Sequence, residues 1–241
     1  MIKITDTEVF GWKAAVRGLR NPMNSWHKSD SDFSCRVCDG CFYKDSRNKE
    51  ETERYTDIWC EHTALRIGDN DLKLMQSLAK AGDDHGKFLR MIHVQADITA
   101  PLYWWKEYDT YKVGTVSNST STMHKIHSKP IEVSDFSVDD FAFDDVGIDV
   151  SLADMFHGVA FDCELLRRKY LKTQDKRYWK ALIQFLPQGY NQKRTVDFNY
   201  QVLAHMYFAR RNHKLNEWHD FCAWALTLPY FREIVVQEAV E

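Results

Sequence analysis

The chain has 241 residues, 44% of them hydrophobic and 28% charged, with a formal net charge of −3. That length suffices to bury a real core, and the charge balance favours neither a nucleic-acid nor a membrane partner. No apolar run approaches the roughly 20 residues of a membrane-spanning helix, and "MIKITDTEVFGW" lacks the apolar core of a signal peptide, so a cytoplasmic protein with reduced thiols is expected.

In chain order, "EVFGWKAAVRGLRNPMNS" begins as an amphipathic segment that Gly11 and Gly18 interrupt and Pro22 ends. Turn-rich "NPMNSWHKSDSDF" leads into "CRVCDGC", where Cys35, Cys38 and Cys41 stand at C-x-x-C-x-x-C spacing and Cys60 offers a fourth thiolate. Two-residue gaps let a backbone turn around a tetrahedral zinc, and an iron–sulfur cluster uses similar spacing. A zinc ribbon needs two such knuckles and only one is present, so the polar excursion at about 27–62 also reads as a surface loop with free thiols. Cys163 and Cys222 lie in apolar surroundings and read as core.

The spacing of Leu72, Met75, Leu78 and Ala79 predicts a helix capped by Asp69 or Asn70 and closed by Gly82. "MIHVQADI" alternates, with Ile92, Val94, Ala96 and Ile98 on one face, and predicts a strand. Thr99 and Pro101 suit the start of a helix whose continuity Gly114 ends. "IEVSDFSVDDFAFDDVGID" reads as a surface connection, "SLADMFHGVAFDCELLRRKYLKT" and "DKRYWKALIQFLP" as helices, and Thr195 to Leu226 as a last long element. One α+β domain over 1–241, with a small antiparallel sheet and long helices, is the economical expectation.

Aromatics reach 14%, with eight tryptophans, and "PLYWWKEYDTYKVGTVSNSTSTMHK" concentrates them beside cations and hydroxyls. Lys106, Lys112, Lys125 and "SNSTST" offer the donors a phosphate needs. Trp104, Trp105, Tyr108 and Tyr111 offer flat faces for a conjugated ring, or a packed core.

"LPQGYNQKRTVDFNYQVLAHMYFARRNHKLNEW" resembles the C-terminal signature of the flavin-dependent thymidylate synthases (the ThyX type). Leu186-Pro187, Lys193 or Arg194, Asn199 opening a helix, Leu203, Arg210 eleven positions later, His213 and Trp218 carry the resemblance. Asn118-Ser119-Thr120-Ser121 matches the family's N-x-x-S after a strand and short helix, while "DHGKFLR" from Asp84 to Arg90 echoes its upstream histidine turn. The family's R-H-R is missing, with Lys106-Glu107-Tyr108 nearest by context, and Met123 stands where a final arginine belongs.

The resemblance implies a ThyX-like fold and reductive methylation of dUMP to dTMP with FAD, NADPH and methylene-tetrahydrofolate. It also implies a homotetramer whose flavin and nucleotide sites lie where subunits meet. Carried over, Ser121 contacts the nucleotide with Lys106, Asn118, Ser119 and Arg210, and Arg210 shares the Ser121 cavity. His85, Arg90, Asn199 and His213 fall on the flavin side. Arginine's planar fork is not reproduced by lysine or methionine. A flavin- or nucleotide-binding homologue without synthase activity is therefore the alternative, and a zinc-bearing interaction protein the third reading.

Overall fold

The computed structural model describes residues 2–33, 66–139 and 151–237; Cys35, Cys38, Cys41 and Cys60 lie outside them. The chain divides into two compact units, Met1–Val9 with His93–Leu228, and Phe10–Ile92 with Pro229–Glu241.

The first unit is built on a four-stranded sheet of β1 (Lys3–Phe10), β2 (His93–Pro101), β3 (Thr115–Ser119) and β4 (Asn191–Asn199), in the order β1-β2-β4-β3. β4 lies antiparallel to β2, with His93 opposite Asn199 and Thr99 opposite Lys193, and antiparallel to β3, with Asn118 opposite Thr195. The alternation in "MIHVQADI" holds: Val94, Ala96 and Ile98 are buried, while His93, Gln95, Asp97 and Thr99 form a polar face. On that face His93 Nδ1 and Gln95 Nε2 meet the Asp197 carboxylate at 3.1 and 2.9 Å, and Lys193 pairs with Asp97 at 2.5 Å.

The strand runs two residues beyond Thr99, so that threonine belongs to the sheet. The next helix, Leu102–Tyr108, is capped by Pro101. The expected last long element is three elements: Thr195–Asn199 completes β4, and two helices follow, Tyr200–Arg210 and Asn216–Ala225. Asn199 does open a helix, its side-chain oxygen accepting from Val202 N at 3.0 Å. The helices Leu152–Thr173 and Lys176–Phe185 form as expected, with Ser151 and Asp175 as N-caps.

In the second unit, helix Trp12–Arg20 starts after Gly11 (φ 92°), where a Cβ would lie 1.9 Å from the Met91 carbonyl oxygen. Glu8–Phe10 are therefore strand, not the helix start that the amphipathic pattern suggested. Helix Asp69–Lys80 has no side-chain cap of its own. Instead Asp30 reaches in from 39 or more residues upstream in the chain and accepts from Asn70 N and Asp71 N at 3.0 and 3.1 Å. Burial opposes ionisation of Asp71, but Ser31, Ser29 and Arg20 together hold its carboxyl below the usual range. The Arg20 guanidinium lies 2.5 Å away, which ties the two helices to the 29–31 turn.

Helices are named in chain order from here: α1 Trp12–Arg20, α2 Asp69–Lys80, α3 Leu102–Tyr108, α4 Leu152–Thr173, α5 Lys176–Phe185, α6 Tyr200–Arg210 and α7 Asn216–Ala225.

Candidate functional site

The polar face of the sheet ends at the Thr99–Lys193 pair, and there the first unit opens into a cavity of about 560 Å³. Lys3 of β1, Thr99 of β2 and Asn191 and Lys193 of β4 form its strand side. The turns after β3 supply Thr120, Ser121, Thr122, Lys125, Ile126, Ser128, Lys129, Ser134 and Asp135, and Tyr190, just before β4, completes the lining. Four lysines face one carboxylate across this lining.

Their pairing sorts them. Lys129 binds Asp135 at 2.5 Å, a hydrogen bond that raises its pKa, and Lys193 binds Asp97 with the same consequence. Lys3 and Lys125 have no ion-pair partner among the described residues. A cation without a carboxylate beside a row of hydroxyls is the composition of an anion site.

Ser121 is placed by its own turn. Its Oγ accepts from His124 N at 2.8 Å and from Met123 N at 3.3 Å. A hydroxyl accepts twice and donates once, so with both acceptor positions taken its O–H proton is left as a donor. Thr120 N and Oγ1 both donate to the Lys193 carbonyl, at 2.9 and 3.2 Å, and Gln192 Nε2 donates to Thr120 O at 2.7 Å. These bonds lock the hydroxyl turn onto β4.

The opposite wall is fixed from α4. Glu164 accepts from Ile131 N at 2.9 Å, from Arg167 Nε at 2.6 Å and from Arg168 Nε at 2.8 Å. Arg167 in turn donates to His127 O at 3.2 Å. The Arg167 hydrogen bond, against burial and with help from Ile131 N, holds the Glu164 carboxyl at about 2. This buried pair carries Lys125 to Lys129 towards the cavity.

Of the residues predicted from sequence, Ser121 and Lys125 line the cavity; Lys106, Asn118, Ser119 and Arg210 do not. Lys106 is exposed on α3, and Asn118 and Ser119 are exposed on β3. Arg210 is engaged elsewhere in the unit: it donates to Glu107 Oε2 at 2.6 Å and Tyr111 OH at 2.8 Å, and lies over the Trp218 ring at 4.9 Å. His213 joins the same carboxylate through Nε2 at 3.2 Å while its Nδ1 accepts from Leu215 N, which sets the Nε2–H tautomer. Asn199 caps α6. His85 and Arg90 are exposed in the second unit. Among the described residues no cluster of His, Cys, Asp or Glu suits a metal.

Of the aromatic wall expected at 101–111, Trp104, Trp105 and Tyr108 are instead core, while half-buried Tyr111 accepts a hydrogen bond from Arg210. Trp104 and Trp105 are 0% and 1% exposed, and Tyr108 is equally enclosed. Trp104 packs against Trp105, Tyr108, Trp218 and Phe221 at 4.7–5.8 Å between ring centroids. The flat partner over Trp105 is the Arg194 guanidinium at 4.2 Å, itself bound to Asp109. Sequence reasoning missed Lys3, Thr99, Ser128, Lys129, Ser134, Asp135, Tyr190 and Asn191. Only "GYNQK", inside the quoted C-terminal motif, offered a signal for the last two.

No family model matches the chain, and no curated protein matches it. Two crystal structures of the flavin-dependent thymidylate synthase ThyX from Helicobacter pylori, each with FAD and dUMP, share its fold. One aligns with TM-score 0.62 at 13% identity and the other with 0.63 at 12%, each over 98% of both chains. At that identity the likeness is one of fold. Mixed helix and sheet around a small antiparallel four-stranded sheet is as expected, and no helix among the described residues is long and apolar enough to cross a membrane.

Proposed function

We propose that the chain is a flavin-dependent thymidylate synthase-like protein whose own contribution to the site is a phosphate-binding cavity for a deoxyuridine nucleotide. The observation that carries the reading is the Ser121 cavity: unpaired Lys3 and Lys125 beside a hydroxyl turn, within a fold shared end to end with proteins crystallised with FAD and dUMP. Its volume suits a nucleotide. Lys3 and Lys125 hold the phosphate charge, the Ser121 hydroxyl donates to a phosphate or carbonyl oxygen, and the α4 pair keeps the lysine turn in place.

The lining carries no exposed aromatic ring, since Tyr190 is buried. Among the described residues this cavity therefore fits the nucleotide phosphate and not an isoalloxazine. FAD, once reduced by NADPH, would supply the reducing equivalents for transferring a methylene unit from methylene-tetrahydrofolate to dUMP. In this reading its ring is covered in a homotetramer where copies meet.

The second reading, a nucleotide-binding homologue without synthase activity, is favoured by one specific pattern. R-H-R is missing, Met123 replaces an arginine, and Lys129 and Lys193 are already neutralised by Asp135 and Asp97.

The test is calorimetric titration of dUMP into purified protein, with flavin absorbance read on the same sample. Binding that weakens at least about 100-fold in a Lys3→Ala/Lys125→Ala double variant supports the site, as the loss of two charge-assisted contacts of roughly 1.5–3 kcal/mol each should. Absence of dUMP binding in the parent overturns the nucleotide reading. Nucleotide binding without any flavin, added or co-purified, and without dUMP-dependent oxidation of reduced flavin selects the second reading.

A further inference from the structure

Helix α4 carries a seam of exposed residues that no described element covers. Asp154, Gly158, Phe161, Leu165, Arg168 and Lys172 follow one another at spacings of 4, 3, 4, 3 and 4, and all six are exposed. That is the a/d pattern of a coiled-coil stripe. It lies on the side of the helix away from Ala160, Cys163 and Arg167, which face the core. Phe161 is 66% exposed and Leu165 40%, an unusual display for a helix whose other face is already packed. Gly158 adds a separate observation. Glycine is, after proline, the least favourable residue inside a helix, and a Cβ there would meet nothing within 4 Å. Nothing around it among the described residues requires a glycine, whereas the close approach of another backbone would use one.

The order of residues along the seam decides the occupant. It begins with a carboxylate, has apolar residues at its centre and ends in cations. Laid antiparallel on itself about Cys163, the seam places Phe161 against Leu165 of the partner subunit and Gly158 against Arg168 of the partner subunit. Asp154 then meets Lys172 of the partner subunit, and every relation is repeated by the two-fold axis. Antiparallel coiled coils pair a positions with d positions in this way, and a two-fold interface must be self-complementary. A parallel arrangement would set Asp154 against Asp154 and Lys172 against Lys172. We propose that α4 is a self-association surface, docking antiparallel on α4 of a second copy of this chain through this seam. The inference is independent of the nucleotide reading, because no seam residue lines the cavity.

The experiment is sedimentation velocity of the full chain at micromolar concentration in low salt, where the terminal charge pairs are least screened. The parent should sediment with the mass of two or more chains. Phe161→Glu, on an exposed position that leaves the folded core untouched, should raise the concentration for half-association at least about tenfold, with unchanged far-UV circular dichroism. Asp154→Lys and Lys172→Asp should each weaken association alone, by setting like charges against each other at both ends of the seam. Mixed in equal amounts, the two variants should recover a mixed assembly, since each supplies the sign the other lacks; that recovery also shows both are folded. A monomeric parent, an assembly indifferent to Phe161→Glu, or a mixture that behaves as the sum of its parts would each overturn the proposal. Nucleotide binding measured on the same samples reports separately on the cavity.

Discussion

Helix α3 and the turn from Thr120 to Lys129 are separated in the chain by little more than strand β3, and they end in opposite environments. The helix turns Trp104, Trp105 and Tyr108 inward against Trp218 and Phe221. The turn keeps Ser121, Thr122, Lys125 and Lys129 on the cavity wall. The difference follows from what each side chain gains on leaving water. An indole buries on the order of 200 Å² and gains further from edge-to-face neighbours, whereas hydroxyls and ammonium groups lose hydration unless partners replace it. Aromatic and hydroxyl-cation chemistry that looked like one wall in the sequence therefore separates into a core and a candidate site.

The largest expected effect breaks the core half. Trp105→Ala removes a fully buried indole, its hydrogen bond to Gln192 O at 2.9 Å and the face under Arg194. It should cost about 3–5 kcal/mol in urea unfolding, with nucleotide affinity per folded molecule close to the parent. A variant that keeps its stability and loses ligand would make the tryptophan a wall residue after all.

Next in size is the buried pair behind the cavity turn. The Glu164 carboxyl sits at about 2 in the folded chain against about 4.3 unfolded. A depressed carboxylate stabilises the fold fully above its unfolded value, and that stability disappears as pH falls through the folded value. The contribution is about 3 kcal/mol at neutral pH. Parent and Glu164→Gln should thus differ by about that much at pH 7 and converge between pH 5 and 2. The measurement is urea midpoints across that range. A constant gap at all pH values would mean that packing, and not the charge of Glu164, holds the turn.

These two regions also show how far the sequence could be read. The strand "MIHVQADI" was legible because its period of two leaves one face no alternative to burial, and α4 and α5 were legible as helical segments, with Ser151 and Asp175 as the N-caps the structure adds. β1 was hidden by Gly11, which is a strand-to-helix corner and looks from sequence like a flaw in a helix. Ser121 and Lys125 were legible through the hydroxyl run. Lys3 and Thr99 were not, because register across β1, β2 and β4 gathers them beside Lys193, which the C-terminal motif had already named, and no local pattern records register. Arg210 was misleading for a physical reason. An arginine's value to a ligand depends on being unpaired, and Glu107, 103 residues away in sequence, already occupies it.

A smaller effect tests the cavity half. Ser121→Ala deletes the O–H donor and the acceptor for His124 N and Met123 N, which lie in an exposed turn where water can replace it. Stability should change by less than about 0.5 kcal/mol, while dUMP affinity should fall by about 1–1.5 kcal/mol, the usual cost of one lost polar contact. Equal affinity for parent and variant would move the phosphate to the lysines alone.

The smallest effect is the sharpest discriminator between core and wall. Tyr108 looks from sequence like a stacking residue, yet its OH is buried and has no hydrogen-bond partner among the described residues, and burial drives its pKa upward. A buried donor without a partner loses its hydration and gains nothing, so replacing it by an apolar group of the same shape is neutral or favourable. Tyr108→Phe keeps the ring against Trp104 and Trp105, at 5.4 and 5.0 Å between centroids, and removes only the oxygen. Urea unfolding should show a gain of between zero and about 1 kcal/mol, with dUMP affinity unchanged. A loss of stability would reveal a water or ligand atom that satisfies the hydroxyl, and a loss of affinity alone would return α3 to the ligand wall.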